Sequence, residues 1–558
     1  MFANLKDDTS IEEILKNHDL KSLLYQFSVK QLAEENIIFL DEYHQIKNFI
    51  ETKDEDLQND LRIKLNGLFS NFIEDSSQYA LNIPDATKTD ALKRWKEQTT
   101  KETPLSAIFS ILDETYKHVR DLLKTSSILP FAQELKQATK NAINSSKILP
   151  KQKRVVIIGA GFCGTLVARL LDKYKAFQVV LIDRKPVFES TPYSIMAMVD
   201  PDLQEKILLP LDNLLKNGVF IQGHVTKLRS NSVDVNGTNI PFDYLVLGMG
   251  SSYKSGIKAQ NWSVNYRKKN YLESFEKIKE AKKILIVGGG TGMRLEGIEL
   301  ATQIKSFDPS KNIVLMDSND RLMKRSSPAV GERIIKELKK MGIEIHLRTR
   351  FLKYDAVKNV YKTSVGEIKA DFMMWASGIQ PNSDLVKEFN ADLVNEMGYI
   401  KANNDLTVVG MPKMFVGGDL KSLKEEKMAF TAQVDGIMIA NNICRAELGK
   451  ELFQRGKEHP PLVNDGMHFV SLGLNKVPKQ MMFPCLKGHF FYVSPKVYKM
   501  KMDFLPTGMS VLKGEREPLG LYGKSRVEKI LLSEPVVDQE ASNGRLEAKS
   551  KKHIDSNE

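Results

Sequence analysis

Residues 155–164 read Val155-Val156-Ile157-Ile158-Gly159-Ala160-Gly161-Phe162-Cys163-Gly164, and Thr165-Leu166-Val167-Ala168-Arg169-Leu170-Leu171 follows directly. An apolar β-branched run that breaks into GxGxxG and resumes at helical spacing predicts a buried strand, a tight turn and a helix. Gly159 permits the turn, Gly161 lets the backbone approach a pyrophosphate, and Gly164 lets the helix pack close to the strand. The helix N-terminus then offers free N–H groups to phosphate oxygens. A second apolar run, Val179-Val180-Leu181-Ile182-Asp183, ends in an acid 19 residues after Gly164. A carboxylate at that distance can accept ribose hydroxyl protons.

Outward from this unit, the pattern repeats. Ile284-Leu285-Ile286-Val287 leads into Gly288-Gly289-Gly290-Thr291-Gly292, then a helical stretch, then Ile313-Val314-Leu315-Met316-Asp317. The glycines read GxGxG with Met293 in the third glycine's place, so the loop is expected to be tighter or shifted by one residue. Asp317 favours a free ribose 2′-hydroxyl and hence NADH, while Arg321 and Lys324 nearby keep NADPH open. A third element, Met414-Phe415-Val416-Gly417-Gly418-Asp419, is followed by a helix carrying Lys427-Met428-Ala429-Phe430.

These elements, with Phe242 to Gly250 and Trp375 to Asn382 between them, resemble the two-dinucleotide-fold flavoproteins. The resemblance implies FAD on the first fold, NAD(P)H on the second, and Asp419 bonding the flavin ribityl chain. It assigns Gly159, Gly161, Gly164, Asp183, Val225 (adenine), Gly250, Asp419 and Ala429 to FAD, and Gly288, Gly290, Gly292, Asp317 and Gly378 to NAD. Met249 stands where the family has Thr. Glu426 to Phe430, Ala440 to Ile443 and His468 to Asn475 narrow the likeness of residues 151–510 to the apoptosis-inducing-factor-like family and its ferroptosis-suppressor subgroup, relatives of type II NADH dehydrogenases. That implies hydride transfer from NAD(P)H to FAD and electron delivery to a quinone. Glu299 aligns with one family acid near the nicotinamide. Leu295 holds the other's place with Glu296 adjacent, so both acids are candidates and a solvated helix face is their alternative.

Residues 10–133 carry apolar positions at helical spacing, starting from a capping pattern at Ser10-Ile11-Glu12-Glu13. The run from Leu32 to Tyr43, containing Glu34-Glu35-Asn36, resembles the centre of a regulator of G-protein signalling (RGS) domain. The flanks Ile11 to Leu15, Leu68 to Ile73, Leu81 to Ile83 and Leu112 to Phe131 agree in order. The likeness implies an all-α bundle that contacts Gα through Glu35, Asn36 and Asn82. Ser126 and Pro130 stand where that family carries charge, which sets binding apart from GTPase acceleration.

The resulting expectation is a multidomain chain: an RGS-like bundle (1–133), a polar linker (134–150), and an α/β Rossmann-like flavoprotein with a small C-terminal subdomain. The flavoprotein divides into an FAD domain (151–282 and 372–460) around a nicotinamide domain (283–371). The subdomain is 461–535, and 536–558 is a charged tail expected to be disordered. Length alone agrees, since 558 residues exceed one core. Residues 1–133 hold 16 Lys and Arg against 23 Asp and Glu, so the net +11 comes from the remainder. That basic excess, and the lysine–aromatic stretch Lys487 to Met502, suit a peripheral membrane contact as well as they suit an ordinary basic surface or a flavin-covering subdomain. No 18-residue uncharged apolar run and no secretory pattern is read, so a cytoplasmic chain, or one peripheral on a cytosolic membrane face or lipid droplet, is expected. Cys163, Cys444 and Cys485 form no CxxC pair, which excludes the usual dithiol chemistry of disulfide reductases. No metal site and no nucleic-acid partner is expected. The rival reading is a signalling scaffold whose flavoprotein half binds nucleotide but turns over weakly.

Overall fold

Buried strands decide the architecture in the computed structural model. It describes residues 34–47, 55–74, 80–99, 103–123, 129–145, 152–253, 257–258, 264–288, 296–324, 328–355, 358–376, 378–425, 427–456, 470–471, 481–485, 490–494, 509–510 and 513. These fall into two compact units. One comprises Met1–Ala138, Gln260–Arg267 and Phe351–Ala370, and the other Thr139–Ala259, Lys268–Arg350 and Asp371–Glu558.

The first unit begins with helices α1 (Glu34–Lys47), α2 (Glu55–Phe72), α3 (Asp85–Gln98), α4 (Leu105–Ser110) and α5 (Asp113–Leu123). Ile37, Leu40 and Tyr43 recur on one face of α1 and are buried with Leu65, Phe69, Phe109, Tyr116 and Val119. Tyr43 stacks on Tyr116 with ring centres 4.3 Å apart, and Phe69 on Trp95 at 4.0 Å. Each such pair adds roughly 0.5–1.5 kcal/mol to the burial itself. The Tyr43 hydroxyl donates to Asp113 at 2.7 Å, tying α1 to α5. The same unit holds a three-stranded antiparallel sheet within residues 351–368.

The stretch read as a polar linker from 134 is helical, because α6 runs Leu129–Ser145. Its polar composition hides a stripe of Leu135, Thr139, Ala142 and Ile143 at helical spacing; Thr139 is buried, and the other three pack against buried clusters. Pro130 lies in the first turn of this helix, where its missing N–H costs nothing.

The second unit is built on two parallel sheets. Strands β1 (Lys153–Ile158), β2 (Phe177–Asp183), β3 (Val219–Gln222), β4 (Tyr244–Leu247), β5 (Lys283–Val287), β6 (Asn312–Met316), β7 (Glu344–His346), β8 (Phe372–Trp375), β9 (Thr407–Val408) and β10 (Met411–Val416) supply them. The larger runs β9-β10-β4-β1-β2-β3, with β9 antiparallel at its edge, and the smaller β7-β6-β5-β8. In β1, Val155, Val156 and Ile157 are fully buried, so both faces of the strand are covered, as a parallel sheet requires. Helix α7 (Phe162–Leu171) follows β1, α8 (Glu296–Phe307) precedes β6, and α9 (Ala429–Glu447) follows β10. The chain thus enters the larger sheet, leaves to form the smaller, and returns through β10.

Val470–Ser471, Met481–Cys485 and Phe490–Ser494 form a three-stranded antiparallel sheet. Apart from 509–510 and 513, the rest of the expected subdomain and the tail lie outside the described residues, as do Ser10, Ser126, Gly290, Gly292 and His468. Among the described residues no helix is long and apolar enough to cross a membrane.

Candidate cofactor site

Strands β1, β4 and β10 are neighbours and parallel, so the turns after Ile158, Leu247 and Val416 leave the same edge of the sheet. The Gly159 N–H donates to Ile182 at 2.7 Å and the Gly248 N–H to Ile158 at 2.8 Å, continuing the ladder into both turns. Gly159 has φ +100°, and a Cβ on it would lie 2.4 Å from the Gly248 carbonyl oxygen. A Cβ on Gly164 would lie 1.9 Å from the Gly159 oxygen. The backbone itself therefore requires these two glycines. Gly161 differs: its φ is −80°, and a Cβ there would meet nothing nearer than the Gly248 oxygen at 4.0 Å. The protein's own packing therefore does not require that position to be bare. Gly161 caps α7, where a pyrophosphate would meet free N–H groups, so the residues fit the dinucleotide that the motif implies.

Asp183 ends β2 half-buried. Its oxygens accept the Ala160 N–H at 2.6 Å and the Lys185 N–H at 2.8 Å, which braces the turn. Carboxylate oxygens carry further lone pairs, so capacity for a ribose diol remains. Val225 is buried where the next antiparallel sheet begins.

Asp419 lies in a single 3-10 turn after β10. One oxygen accepts the Ser251 hydroxyl at 2.6 Å and the Lys258 ammonium at 2.9 Å, and these two partners meet each other at 2.6 Å. Burial alone would raise the carboxyl. The Lys258 charge and hydrogen bond, the Ser251 hydroxyl and the Lys427 charge outweigh it and hold Asp419 down at about 2. Lys427, just before α9, is pulled down to about 8 by burial and by Lys421, against the attraction of nearby acids. Ala429 opens α9.

The two crossover segments lie side by side. Ser251–Ser252 pairs antiparallel with Gln380–Pro381, and Asn382 donates to the carbonyls of Gly250 at 3.0 Å and Met249 at 2.9 Å. Gly250 and Gly378 both hold positive φ, +65° and +87°. Beyond Ser252, the Tyr253 hydroxyl donates to Glu296 at 2.6 Å, at the start of α8. Glu299, one turn on, is buried.

Residues 289–295, the turn expected to be tighter or shifted by one residue, lie outside the described residues. Gly288 has φ +111°, and the residue whose Cβ would strike its carbonyl oxygen, at 1.7 Å, is Gly297. Gly297 takes the packing role that Gly164 has in the first turn, at nine residues' spacing instead of five. Asp317 follows β6, buried, with one oxygen accepting the Asn319 backbone N–H and side-chain amide, both at 2.7 Å. Arg321 donates to the Met323 and Lys324 carbonyls of its own loop, and Lys324 pairs with Asp320 at 3.4 Å.

Cys163 and Cys444 are buried and unbridged. Burial, with Asp435 nearby, pushes the Cys163 thiol up. A Cβ on Gly417 would lie 2.5 Å from its sulfur, so Cys163 serves the packing of α7 against the Asp419 turn.

The proposed Gα contacts divide. Asn82 is exposed just before α3 and Glu35 is half-buried, but Asn36 is only 3% exposed and its amide donates to Glu35 at 3.0 Å. In this conformation Asn36 braces the helix from inside.

Sequence reasoning missed Lys258, Tyr253 and Gly297. Lys258 sits among other lysines, Tyr253 belongs to no motif, and Gly297 lies four residues past the place where the motif would put it.

Comparison with known proteins agrees with this geometry. Residues 153–440 match the model for the pyridine nucleotide-disulphide oxidoreductase family, and residues 10–136 match the regulator of G protein signaling domain. Apoptosis-inducing factor homolog A of Dictyostelium discoideum is 34% identical over 360 residues, covering 58% of this chain and 86% of that protein. Ferroptosis suppressor protein 1 of Homo sapiens is 26% identical over 309 residues, covering 52% and 80%. Among solved structures, the sulfide:quinone oxidoreductase of Aquifex aeolicus shares the fold with a TM-score of 0.56 at 15% identity, over 68% of this chain and 95% of that one. The chain belongs to the pyridine nucleotide-disulphide oxidoreductase family: it is an FAD- and NAD(P)H-dependent oxidoreductase that also carries an RGS domain.

Proposed function

We propose that the chain passes electrons from NADH through FAD to a small quinone-type acceptor, and that its RGS domain tethers it to an activated Gα subunit. The observation that carries the first part is the shared edge of β1, β4 and β10. It brings the unobstructed Gly161, the Asp183 brace and the Asp419–Lys258–Ser251 cluster to one end of one sheet. When bound, FAD supplies the redox chemistry between nicotinamide and acceptor. The chain's residues hold and orient it: Gly161 and the α7 N-terminus at the pyrophosphate, Asp183 at the ribose, Val225 at the adenine, Gly250, Asp419 and Ala429 toward the flavin. Gly288, Asp317 and Gly378, with Gly290 and Gly292, are assigned to the nicotinamide cofactor, and Glu296 and Glu299 to its reactive side.

An external acceptor is favoured because the chain has no CxxC pair and Cys163 is sealed in packing. A quinone is the choice suggested by the family likeness; the Aquifex aeolicus protein, similar in fold, is named for one. NADH is favoured because Asp317 would repel a 2′-phosphate, and Arg321 and Lys324 are engaged within their own loop. Steady-state oxidation of NADH by purified full chain, with soluble quinones of graded size against oxygen alone, tests the acceptor. Turnover no faster with any quinone than with oxygen rejects it.

The weakly turning scaffold keeps one point in its favour, the buried, internally bonded Asp317. The G-protein half is tested by pull-down on Gα subunits in a transition-state-mimic form, beside single-turnover GTP hydrolysis. Binding without acceleration fits tethering, since Asn36 is turned inward and Ser126 and Pro130 replace charge. No binding across the panel rejects the partner.

A further inference from the structure

Beneath the Gly417-Gly418-Asp419 turn lie four charged side chains that touch no proposed ligand position. Asp435, on α9, is fully buried, as is Lys421; Arg455 and Glu425 are nearly so. Lys421 and Arg455 each form a close ion pair with Asp435, one to either oxygen. Glu425 closes the set, lying 3.4 Å from Lys421 and 3.3 Å from Arg455. Two cations and two anions balance, as buried charges must. Asp435 makes one further bond: the oxygen that pairs with Lys421 also accepts the Gly418 N–H at 2.8 Å. Gly418 has φ +67° and immediately precedes Asp419.

We propose that Asp435 is a positioning residue for flavin binding, which fixes the Asp419 carboxylate through the Gly418 N–H, while Lys421, Arg455 and Glu425 balance the buried charge. This rests on the assignment of Asp419 to the flavin. Three facts join in it. The turn is a single 3-10 turn with no side-chain cap, so its backbone has little rigidity of its own. Gly418 sits at φ +67°, which glycine adopts without strain, so the turn can point its N–H toward Asp435 but does not fix it there by itself. Asp435 comes from the helix that returns beneath the turn, and the Gly417 Cβ position, 3.2 Å from the Asp435 Cβ, shows how closely they meet. Burial would raise the Asp435 carboxyl, but Lys421, Arg455 and the Gly418 N–H lower it, so it stays an acceptor.

The test compares full-length double variants that all keep the buried charge balanced. Lys421→Met with Asp435→Asn retains an oxygen for the Gly418 N–H. Lys421→Met with Asp435→Leu has nearly the same shape and retains none. Both leave Arg455 with Glu425. A third, Glu425→Leu with Arg455→Met, leaves Asp435 with Lys421 and Gly418. Each is stripped of flavin and titrated with FAD by fluorescence quenching, with thermal unfolding measured beside it. The Asp435→Leu pair is expected to bind FAD roughly tenfold or more weaker than the Asp435→Asn pair, because only it lacks the buried N–H acceptor, at similar unfolding midpoints. The Glu425/Arg455 pair is expected to bind like wild type even where it melts lower. Equal affinity of the two Asp435 pairs overturns the proposal, as does equal weakening in the Glu425/Arg455 pair. Asp419→Ala separates the underlying assignment: wild-type affinity there means that Asp419 does not hold flavin, whatever Asp435 does.

Discussion

Two glycine turns in this chain begin alike and end differently. Gly159 and Gly288 both leave a parallel strand with positive φ, +100° and +111°. In each, a glycine on the following helix packs against the carbonyl of the turn glycine, Gly164 in one and Gly297 in the other. The backbone demands of strand, turn and helix are thus met twice, over five residues and over nine. What separates the turns is the segment between. The first carries Gly161, which the fold does not need and which is proposed to lie against the pyrophosphate. The second carries Thr291, Met293, Arg294 and Leu295 among its glycines, where the first carries Ala160, Phe162 and Cys163. Glycines that serve the chain can therefore be told from glycines that serve a cofactor by what a Cβ would meet.

That distinction can be broken by substitution. At Gly161 a Cβ meets nothing nearer than 4.0 Å in the protein, while the branched side chain of Gly161→Val would occupy the place proposed for the pyrophosphate. The variant is expected to fold normally and bind FAD roughly 100-fold or more weaker, about 2.7 kcal/mol, read by flavin content and by titration of the apoprotein. Full flavin content in a folded variant would mean that the first turn is not the FAD site.

Acid should act through the first site next. The Asp419 carboxyl is held at about 2, below its ordinary 3.8, so its contribution is complete above 3.8 and is lost as pH falls toward 2. The loss amounts to roughly 2 kcal/mol. Wild type should lose unfolding free energy across that window and Asp419→Asn should lose less; parallel curves would remove the Lys258–Asp419 pair as the cause.

Gly297→Ala sharpens the comparison from the other side. A Cβ at 1.7 Å from the Gly288 oxygen forces the second turn apart, costing roughly 1–3 kcal/mol. The Michaelis constant for NADH should rise about tenfold while flavin content stays whole, within the span of a 1.4 kcal/mol loss. Flavin loss with unchanged NADH kinetics would reverse the assignment of the two turns.

The smallest effect concerns cofactor choice. A carboxylate beside a 2′-phosphate costs about 1 kcal/mol near a surface, so NADH should reduce the flavin roughly fivefold faster than NADPH at equal low concentration. Asp317→Asn should narrow that ratio in stopped-flow reduction. Faster reduction by NADPH in wild type would reject the preference.

What could be read in the residues follows the range over which each interaction works. The first turn, the β10 turn and the crossovers were legible because strand, glycine and acid sit within one short segment and each answers to local backbone geometry. Gly297 was not, because its partner lies nine residues away across sequence that matches no motif. Lys258 and the Lys421–Asp435–Arg455–Glu425 cluster were hidden because lysines and acids look like solvated surface until the fold buries them. Asn36 shows the converse: a motif residue read as a contact faces inward, since helical spacing puts it beside Ile37 and Leu40 on the packed side. The helix through 134–145 was missed because polar residues outnumber its apolar stripe.

The most direct measurement is an anaerobic titration of the purified full-length protein with NADH, followed by its visible absorption spectrum. The protein should be yellow as isolated, and the flavin band should bleach with about one equivalent of NADH per flavin and return on adding an oxidised quinone. A flavin band that persists under saturating NADH, yet bleaches with a chemical reductant, would contradict an oxidoreductase and leave a nucleotide-binding scaffold.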